Sequence, residues 1–455
     1  MGDFRESTLE EARRILGFIL KPELSPEDQD RIIRDSIENF NEHVNPGWLK
    51  YRKSVSTDAA FVEWEDSRET FRDTHGTEFI DCLGGFGVYT AGHRNPEVVK
   101  TVQAQLNRYA LHSQELVDPL RGYLAKLLSL CTPGDLKYAF FCNGGAEANE
   151  MALKLARLAS GKHYFISTVN GFHGKSFGAV SVTGKGAYRQ PYLPMIQGVQ
   201  HVEFGNAAAA ETAIKNLMQV GETVAAMIVE PIQGEAGIVL PPDDYLEKLR
   251  AICDAYGVFL IVDEIQTGMG RTGALWACDS YGVVPDILTF GKAFGGGVMP
   301  ITGIIARPHL WIQELQDNPW ILGSPTFGGN PLACSAAIAA IKYTLENDLP
   351  TRIREKGDYM MEKLRVLQKK YSILVDVRGK GLLIGLEYPT PEIGWAVSKG
   401  LFKRGIVTGG TLNNAKVNRI EPPGIISYET MDTVIARLDD TLAEVEKEFG
   451  SSISV

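Results

Sequence analysis

The sequence contains no apolar run long enough to cross a membrane, no internal repeat and no low-complexity linker. Its N-terminus, MGDFRESTLEEARRILGFIL, is charged and amphipathic, and it lacks the uninterrupted apolar core of a signal peptide. We therefore expect a cytoplasmic, soluble protein that does not bind a membrane.

The six cysteines are scattered and form no CxxC pair, which argues against both a disulfide framework and a zinc site. We expect them to be small buried residues, and we expect no metal site. An excess of positive charge is also missing, because 46 Lys and Arg stand against 56 Asp and Glu, a formal net charge of −10. A nucleic acid is therefore not expected as a partner.

The middle of the chain alternates short apolar runs with segments of helical periodicity. The runs predict buried strands at 138–142, 163–167, 225–229, 258–262, 286–290 and 301–306. Helices are predicted between them, for example at 147–158, where the apolar residues share one face. Apolar strands separated by helices indicate an α/β protein with a mostly parallel central sheet that helices cover on both faces. In such sheets ligands bind beyond the carboxyl ends of the strands.

Both ends of the chain are more polar than the middle. Residues 1–80 predict polar helices and then a hairpin, and the charged segments after residue 350 end in a predicted helix at 428–449. We expect residues 1–80 and 341–455 to form a smaller α+β lobe from both termini, beside a large cofactor-binding domain at 81–340.

Two charged residues lie at the ends of successive apolar runs. Asp263 ends the run VFLIVD, where an ionised carboxylate is costly unless it is paired. It is either the counter-ion of a buried cation, such as a protonated pyridine nitrogen, or a helix cap or structural ion pair. Lys292 follows the next run, in GKAFGGG, where partial burial lowers the pKa of an amine and suits it to Schiff-base chemistry. A lysine of this kind is more often structural, but its pairing with Asp263 predicts a catalytic role.

Two turns next to these strands have the composition of cofactor-binding turns. In NGGAE, Gly144, Gly145 and Ala146 precede a predicted helix, whose free N–H groups and dipole suit a phosphate. An ordinary capped turn explains the pattern equally well. In GFHG, Phe172 and His173 either stack on an aromatic cofactor or pack as a plain turn.

Two segments imitate nucleotide-binding loops. The segment 268–273 matches GxGxxG, but five residues separate it from the preceding strand and a poor helix follows. GFHGKS resembles a P-loop, but Val169 stands where the first glycine is required. An NAD-dependent dehydrogenase is therefore only a remote alternative.

Seven motifs along the chain resemble, in the same order, those of the class III aminotransferases, which are pyridoxal 5′-phosphate (PLP) enzymes of fold type I. The motifs are NGGAEANE, GFHGKS, VEPIQGEAG, DEIQTGMGRTG, GKAFGGG, TFGGNPLAC and RIEPP. The resemblance spans residues 35–447. Further segments, among them HVNPGWLKYRKSV, LHSQELVDPLR and GTLNNAK, are similar to those of the putrescine aminotransferases within this class.

The resemblance implies a PLP enzyme that transfers an amino group from a diamine to 2-oxoglutarate. The donor would be putrescine, with cadaverine as a second candidate, and the products an aminoaldehyde and glutamate. Aminotransferases of ornithine, acetylornithine or 4-aminobutyrate are the nearest alternative.

The resemblance also implies roles for individual residues. Lys292 would carry PLP as a Schiff base, Asp263 would pair with the ring nitrogen, and Gln266 would bind the phenolic oxygen. The other cofactor contacts would come from Gly144, Gly145, Ala146, Phe172, His173, Glu230 and Thr326. Thr326 would reach the phosphate of a neighbouring subunit, which implies a homodimer or a dimer of dimers.

The substrate contacts that the resemblance implies involve Glu235 and Arg419. Arg419 would bind the carboxylate of the oxo acid, and Glu235 would pair with Arg419 when a diamine without a carboxylate is bound.

The phosphate turn departs from the family pattern. The family usually has Ser-Gly-Thr where this chain has Gly144-Gly145-Ala146, so two hydroxyl donors are missing. Each hydroxyl contributes about 0.5–1.5 kcal/mol net, and more against a charged acceptor. The backbone donors remain, so we expect weaker retention of PLP at an otherwise intact site.

Overall fold

A computed structural model describes residues 4–56 and 60–449 of the chain. It begins with two helices, α1 (Phe4–Leu20) and α2 (Pro26–Asn39). The start of α2 is encoded locally, because the Ser25 hydroxyl accepts from the Asp28 N–H while the Asp28 carboxylate accepts from the Ser25 N–H. No side chain of α1 is buried.

An antiparallel meander follows the helices. Its strands are β1 (Glu63–Ser67), β2 (Thr70–Asp73) and β3 (Glu78–Asp81). The predicted hairpin thus gains a third strand.

The middle of the chain forms a seven-stranded sheet. In chain order its strands are β4 (Tyr138–Cys142), β5 (Tyr164–Thr168), β6 (Val199–Val202), β7 (Val224–Val229), β8 (Phe259–Asp263), β9 (Ile287–Phe290) and β10 (Thr302–Ala306). Across the sheet the order is β4-β10-β9-β8-β7-β5-β6. All neighbours from β9 to β6 are parallel, whereas β10 is antiparallel to both β4 and β9. The prediction of a mostly parallel central sheet is confirmed.

Two features of this sheet differ from the sequence-based expectation. The edge strand β6 was not predicted, because VQHV is short and half polar. The direction of β10 was not predicted either. It is connected to β9 only by the short 3₁₀ turn Lys292–Gly295 and irregular backbone, with no crossover helix, and parallel pairing needs a longer crossover.

Helices cover both faces of this sheet. They are α3 (Pro96–Leu106), α4 (Pro119–Cys131), α5 (Gly145–Ser160), α6 (Phe177–Val182), α7 (Gly186–Arg189), α8 (Ala207–Gln219), α9 (Tyr245–Tyr256), α10 (Gln313–Asp317) and α11 (Pro331–Glu346). Along β7, Met227 and Val229 join a core that includes α8 and α9, whereas Ala226 and Ile228 join a core that includes α5. Because both faces are buried, the inner strands β7 to β10 are mainly apolar.

The C-terminal part adds two small sheets. Its elements are α12 (Leu349–Lys370), β11 (Asp376–Lys380), β12 (Leu383–Glu387), α13 (Pro391–Lys403), β13 (Ile406–Val407), β14 (Gly409–Gly410), β15 (Val417–Ile420) and α14 (Tyr428–Phe449). Strand β13 pairs with β3, so one sheet joins the two ends of the chain, and the other has the order β11-β12-β15-β14. The smaller lobe is thus built from both termini, while the domain limits at 80 and 340 stay a prediction.

All six cysteines are unpaired thiols. Within the described residues, no helix is both long enough and apolar enough to cross a bilayer.

A buried histidine connects the meander to the turn that follows it. His93 Nδ1 lies 3.0 Å from Asp66 Oδ2, and its Nε2 lies 2.8 Å from Asp81 Oδ2. Burial disfavours the charged imidazole ring, but the two carboxylates outweigh it and raise the pKa of His93 to about 9. Asp81 Oδ1 in turn accepts the N–H groups of Leu83 and Gly84.

This cluster predicts a pH-dependent stability. Because the pKa of His93 is raised from about 6.5 to about 9 on folding, its contribution is complete below about pH 6.5 and is lost as the pH rises through 9. We expect His93→Gln to lower the melting temperature clearly at pH 6 and much less at pH 9.5, as measured by circular dichroism. A difference that does not change with pH would contradict this assignment.

Candidate active site

A cavity of about 230 Å³ lies beyond the carboxyl ends of β5, β7, β8 and β9. Nine residues that the sequence had indicated line it: Gly145, Ala146, Phe172, His173, Glu230, Glu235, Asp263, Gln266 and Lys292. Four further residues complete the wall: Asn149, Gly174, Ile265 and Thr267.

Asp263 ends β8, and its buried carboxylate accepts hydrogen bonds at both oxygens. Oδ2 lies 2.8 Å from His173 Nδ1 and accepts from Asn149 Nδ2 at 2.8 Å. Oδ1 accepts from the Ile265 N–H at 3.1 Å and from the Thr289 hydroxyl at 3.2 Å. Burial raises the pKa of Asp263, but the bonds from His173 and Asn149 outweigh it and hold the pKa below its ordinary value. The carboxylate is therefore ionised and can neutralise a cation in the cavity.

Lys292 follows β9 in a strained conformation. Its φ of +48° lies in the left-handed region, which costs a non-glycine residue about 1–3 kcal/mol. The chain also passes close to β10 here, because a Cβ on Gly291 would lie 2.8 Å from Thr302 Cγ2. Burial lowers the pKa of Lys292, which favours the neutral, nucleophilic amine.

The turn between β4 and α5 presents unused backbone donors. Helix α5 begins at Gly145 without a side-chain cap. In the described part of the chain, no group accepts a hydrogen bond from the N–H of Gly145, Ala146 or Glu147. Gly144 precedes the cavity-lining Gly145 in this turn. Its carbonyl oxygen accepts a hydrogen bond from the Thr302 hydroxyl at 3.0 Å. The helix therefore offers free N–H groups and the positive end of its dipole to an anion.

Glu230 holds the loop that carries Phe172. Its Oε1 accepts from the Phe172 N–H at 2.9 Å, and its Oε2 accepts from the Gly234 N–H at 3.1 Å. Burial raises the pKa of Glu230 to about 7, so this carboxyl can change its protonation near neutral pH.

Arg419 lies on β15 of the C-terminal part and reaches the cavity through Glu235. Its Nη2 is 2.7 Å from Glu235 Oε2, and its Nη1 is 3.4 Å from Glu421 Oε2. The ring of Phe86 covers the guanidinium at 5.1 Å. Burial raises the pKa of Glu235, but Arg419 outweighs it and keeps Glu235 ionised.

Gln266 contacts Glu421, the second carboxylate beside Arg419. Its Nε2 lies 3.3 Å from both the Phe86 carbonyl oxygen and Glu421 Oε2. Glu421 is fully buried, and burial raises its pKa above the ordinary value.

Thr326 lies apart from this cavity. It lines a second cavity of about 770 Å³, together with His112, Arg121 and Trp320. Its carbonyl oxygen accepts from Gln114 Nε2 at 2.8 Å. The expected reach of Thr326 into the site of a second subunit stays a prediction.

The sequence reasoning missed several polar residues around the site. Asn149 lies one helical turn after Gly145, which is the signal that could have found it. Glu421 stands in the motif RIEPP directly after β15, but only Arg419 of that motif received a role. Thr289 pairs with Asp263 across β8 and β9, and only the strand register reveals this.

The segment 268–273 has a structural role. Arg271 is fully buried and donates to the Leu382 and Pro422 carbonyl oxygens at 3.2 and 2.6 Å and to the Thr90 hydroxyl at 3.0 Å. A short 3₁₀ turn at Ala277–Tyr281 follows this segment. A dinucleotide fingerprint requires a helix at its glycines, so this geometry does not fit one.

The family model described as aminotransferase class III matches residues 54–442. The chain belongs to this family. Solved structures of other aminotransferases share the fold of this chain and have moderate sequence identity to it. Ornithine aminotransferase from Toxoplasma gondii ME49 is 28% identical with a TM-score of 0.82, and the match covers 93% of this chain and 100% of that one.

Two other aminotransferases are similarly close. Taurine:2-oxoglutarate aminotransferase from Bifidobacterium kashiwanohense, solved with PLP and glutamate, is 26% identical with a TM-score of 0.82 over 91% of this chain and 98% of that one. Acetylornithine aminotransferase from Elizabethkingia anophelis is 27% identical with a TM-score of 0.75 over 90% of this chain and 99% of that one.

The cofactor of this class III aminotransferase is PLP, as predicted, and the fold is that of the type I PLP enzymes. The cavity residues fit PLP chemically. An ionised carboxylate (Asp263), a lysine of lowered pKa (Lys292) and a helix start with unused N–H groups surround one space. These suit a pyridinium nitrogen, an aldehyde and a phosphate respectively.

The phosphate turn has room for the hydroxyls it lacks, at least at its first position. A Cβ on Gly144 would meet no atom within 4 Å, so serine fits there. Ala146 is more confined, because a Cβ on Gly174 would lie 2.5 Å from the Ala146 Cβ.

We expect Gly144→Ser with Ala146→Thr to slow PLP release about two- to tenfold per hydroxyl, since each adds about 0.5–1.5 kcal/mol. Gly144→Ser alone should account for much of the effect because its site is open. The off-rate can be followed by the loss of cofactor absorbance in the presence of an apoenzyme trap. Gly17→Ser, where a Cβ also meets nothing, is the matched control. An unchanged off-rate would show that the missing hydroxyls do not weaken the site.

Proposed function

We propose that this class III aminotransferase transfers the amino group of a diamine, putrescine or cadaverine, to 2-oxoglutarate, giving an aminoaldehyde and glutamate. The buried pair between Arg419 and Glu235 is the observation that supports this most. An arginine at this place can bind a carboxylate through two N–H groups. A diamine has no carboxylate, and Glu235 then supplies one. The pair therefore suits an enzyme that accepts both kinds of substrate in turn.

When bound, PLP supplies an electron sink for the carbanion that forms beside the amino nitrogen. Lys292 would hold the cofactor between turnovers. Once a substrate amine has displaced it, the free Lys292 Nζ would take the proton from the substrate carbon next to the nitrogen and deliver it to the former aldehyde carbon of the cofactor. Asp263 would stabilise a protonated ring nitrogen, and His173 and Asn149 would keep Asp263 ionised and oriented. Phe172 would cover one face of the ring.

Transfer from ornithine or acetylornithine is the second candidate, because two of the similar structures are aminotransferases of these compounds. Arg419 could bind the carboxylate that both of these donors carry. The 4-aminobutyrate reaction belongs to the same group of alternatives, since that donor also carries a carboxylate.

We also propose that two copies of the chain assemble, as a dimer or a dimer of dimers, with Thr326 contributing to the site of the neighbouring copy. The second cavity supports this, because large apolar side chains on its wall are exposed: Leu116 by 78%, Val117 by 95% and Trp320 by 70%. An exposed apolar surface of this kind is typical of a protein interface.

The donor can be tested directly from the cofactor colour. The purified protein should be yellow, and borohydride should fix PLP onto the peptide that contains Lys292, whereas Lys292→Ala should bind PLP without fixation. Putrescine should bleach the absorbance band without an added acceptor, and faster than ornithine, acetylornithine or 4-aminobutyrate. A colourless protein that protects NADH, or a faster reaction with one of the three competing donors, would reject the proposed reaction.

Replacing one partner of the buried pair should separate the two half-reactions. Glu235→Gln is expected to slow the diamine half-reaction by about tenfold or more relative to the oxo-acid half-reaction, because Arg419 then lacks the carboxylate that lies closest to it, at 2.7 Å. Arg419→Gln should show the reverse preference. Single-turnover absorbance changes with putrescine and with 2-oxoglutarate measure the two halves separately. Equal losses in both halves for Glu235→Gln would argue against a switching pair.

A further inference from the structure

The segment 411–414, which begins the loop between β14 and β15, contacts Glu235. The Leu412 N–H donates to Glu235 Oε2 at 2.8 Å, and the Asn413 N–H donates to the Glu235 carbonyl oxygen at 2.8 Å. The same Oε2 faces Arg419 Nη2 at 2.7 Å. Glu235 Oε2 thus has two partners. One is Arg419, which a substrate carboxylate can also bind, and the other is the backbone N–H of Leu412.

The segment is tied to the loops of the large sheet by side chains from three positions. Asn413, which is only 8% exposed, donates from Nδ2 to the Asn170 carbonyl oxygen at 2.6 Å. Lys185 Nζ donates to the Asn413 carbonyl oxygen at 2.7 Å. The Tyr188 hydroxyl donates to the Leu412 carbonyl oxygen at 3.3 Å. These bonds span the boundary between the large sheet and the C-terminal part.

Tyr188 also connects this segment to the cavity wall. Its ring packs against Phe172 in an edge-to-face arrangement, with centroids 6.3 Å apart and planes at 78°. Phe172 lines the cavity. The segment 411–414 therefore contacts two parts of the cavity wall, Phe172 through Tyr188 and Glu235 through the Leu412 N–H.

We propose that Asn413 is a positioning residue that fixes the segment 411–414, so that the Leu412 N–H retains Glu235 when a substrate carboxylate takes over Arg419. This rests on the proposed function, in which Arg419 alternates between Glu235 and a substrate carboxylate. Without a second donor, a displaced Glu235 would remain as an unpaired buried anion close to the incoming carboxylate. The Leu412 N–H prevents this, because a charge-assisted hydrogen bond to a backbone amide stabilises the ionised form.

Asn413→Ala tests the inference because it removes the bond to Asn170 and leaves the backbone of the segment in place. We expect the KM for 2-oxoglutarate to rise about tenfold while the KM for putrescine changes less than about twofold. Asn414→Ala is the matched control, since its side-chain oxygen accepts only a local hydrogen bond, from the N–H of Lys416 in the same loop between β14 and β15. Lys185→Met, which removes a second anchor, should give a smaller shift in the same direction.

Hydrogen exchange in the PLP-loaded enzyme gives a readout that does not depend on turnover. The amides of Leu412 and Asn413 should be protected in the wild-type enzyme, both free and with saturating glutarate, a dicarboxylate without a reactive keto group. Protection should decrease in Asn413→Ala but not in Asn414→Ala.

Two results would overturn the inference: deprotection of the Leu412 amide by glutarate in the wild-type enzyme, or an equal rise of both KM values in Asn413→Ala. A wild-type enzyme that ignores putrescine but reacts with 2-oxoglutarate and a carboxylate-bearing donor would instead reject the diamine as donor. The KM comparison would then be repeated between that donor and 2-oxoglutarate, and equal shifts would be expected because both recruit Arg419.

Discussion

The ionised carboxylate of Asp263, buried at the end of β8, is the constraint on which the rest of the site depends. A buried anion is costly unless hydrogen bonds and an opposite charge compensate for it. Here Asn149 from α5 and His173 from the loop after β5 donate to it, so two other elements must approach β8 closely. The same approach brings the unused N–H groups of α5 and the amine of Lys292 to one cavity. The geometry that keeps Asp263 charged is therefore also the geometry that suits PLP.

A second set of buried charges connects the large sheet with the C-terminal part. Arg419 lies between Glu235 and Glu421, and Arg271 lies 3.9 Å from Glu421 on its other side. Such a chain alternates in sign, so each group offsets the desolvation of its neighbour. Because one member, Glu235, faces the cavity, a substrate that recruits Arg419 alters the balance of the whole set. The segment 411–414 contacts Glu235 directly, through the Leu412 N–H, and would therefore respond to that change.

Much of the fold follows from local patterns in the sequence. The strand at 138–142 and the helix at 428–449 coincide with the predicted limits, because the first is a continuous apolar run and the second has a clear helical periodicity of apolar residues. Strand β6 was not predicted from the sequence, because two of its four residues are polar and an edge strand buries only part of its surface. Similarly, the residues of the site that were recognised stand at strand ends or in motifs. Asn149 and Glu421 also stand in motifs, but their roles became clear only from their spatial neighbours Asp263 and Arg419, and the role of Thr289 only from the strand register.

The sequence by itself determined the α/β class, the family, the PLP cofactor and nine of the thirteen residues that line the cavity. These are properties of periodicity and of short motifs, which are encoded by residues close together in the chain. Only the tertiary structure decided the direction of β10, the ionisation of Asp263, the rise in the pKa of Glu230 to about 7 and the sharing of Glu235 between Arg419 and Leu412. The physical reason is that charge states and hydrogen-bond partners depend on groups distant in sequence, whose distances arise only when the sheet and the C-terminal part pack together.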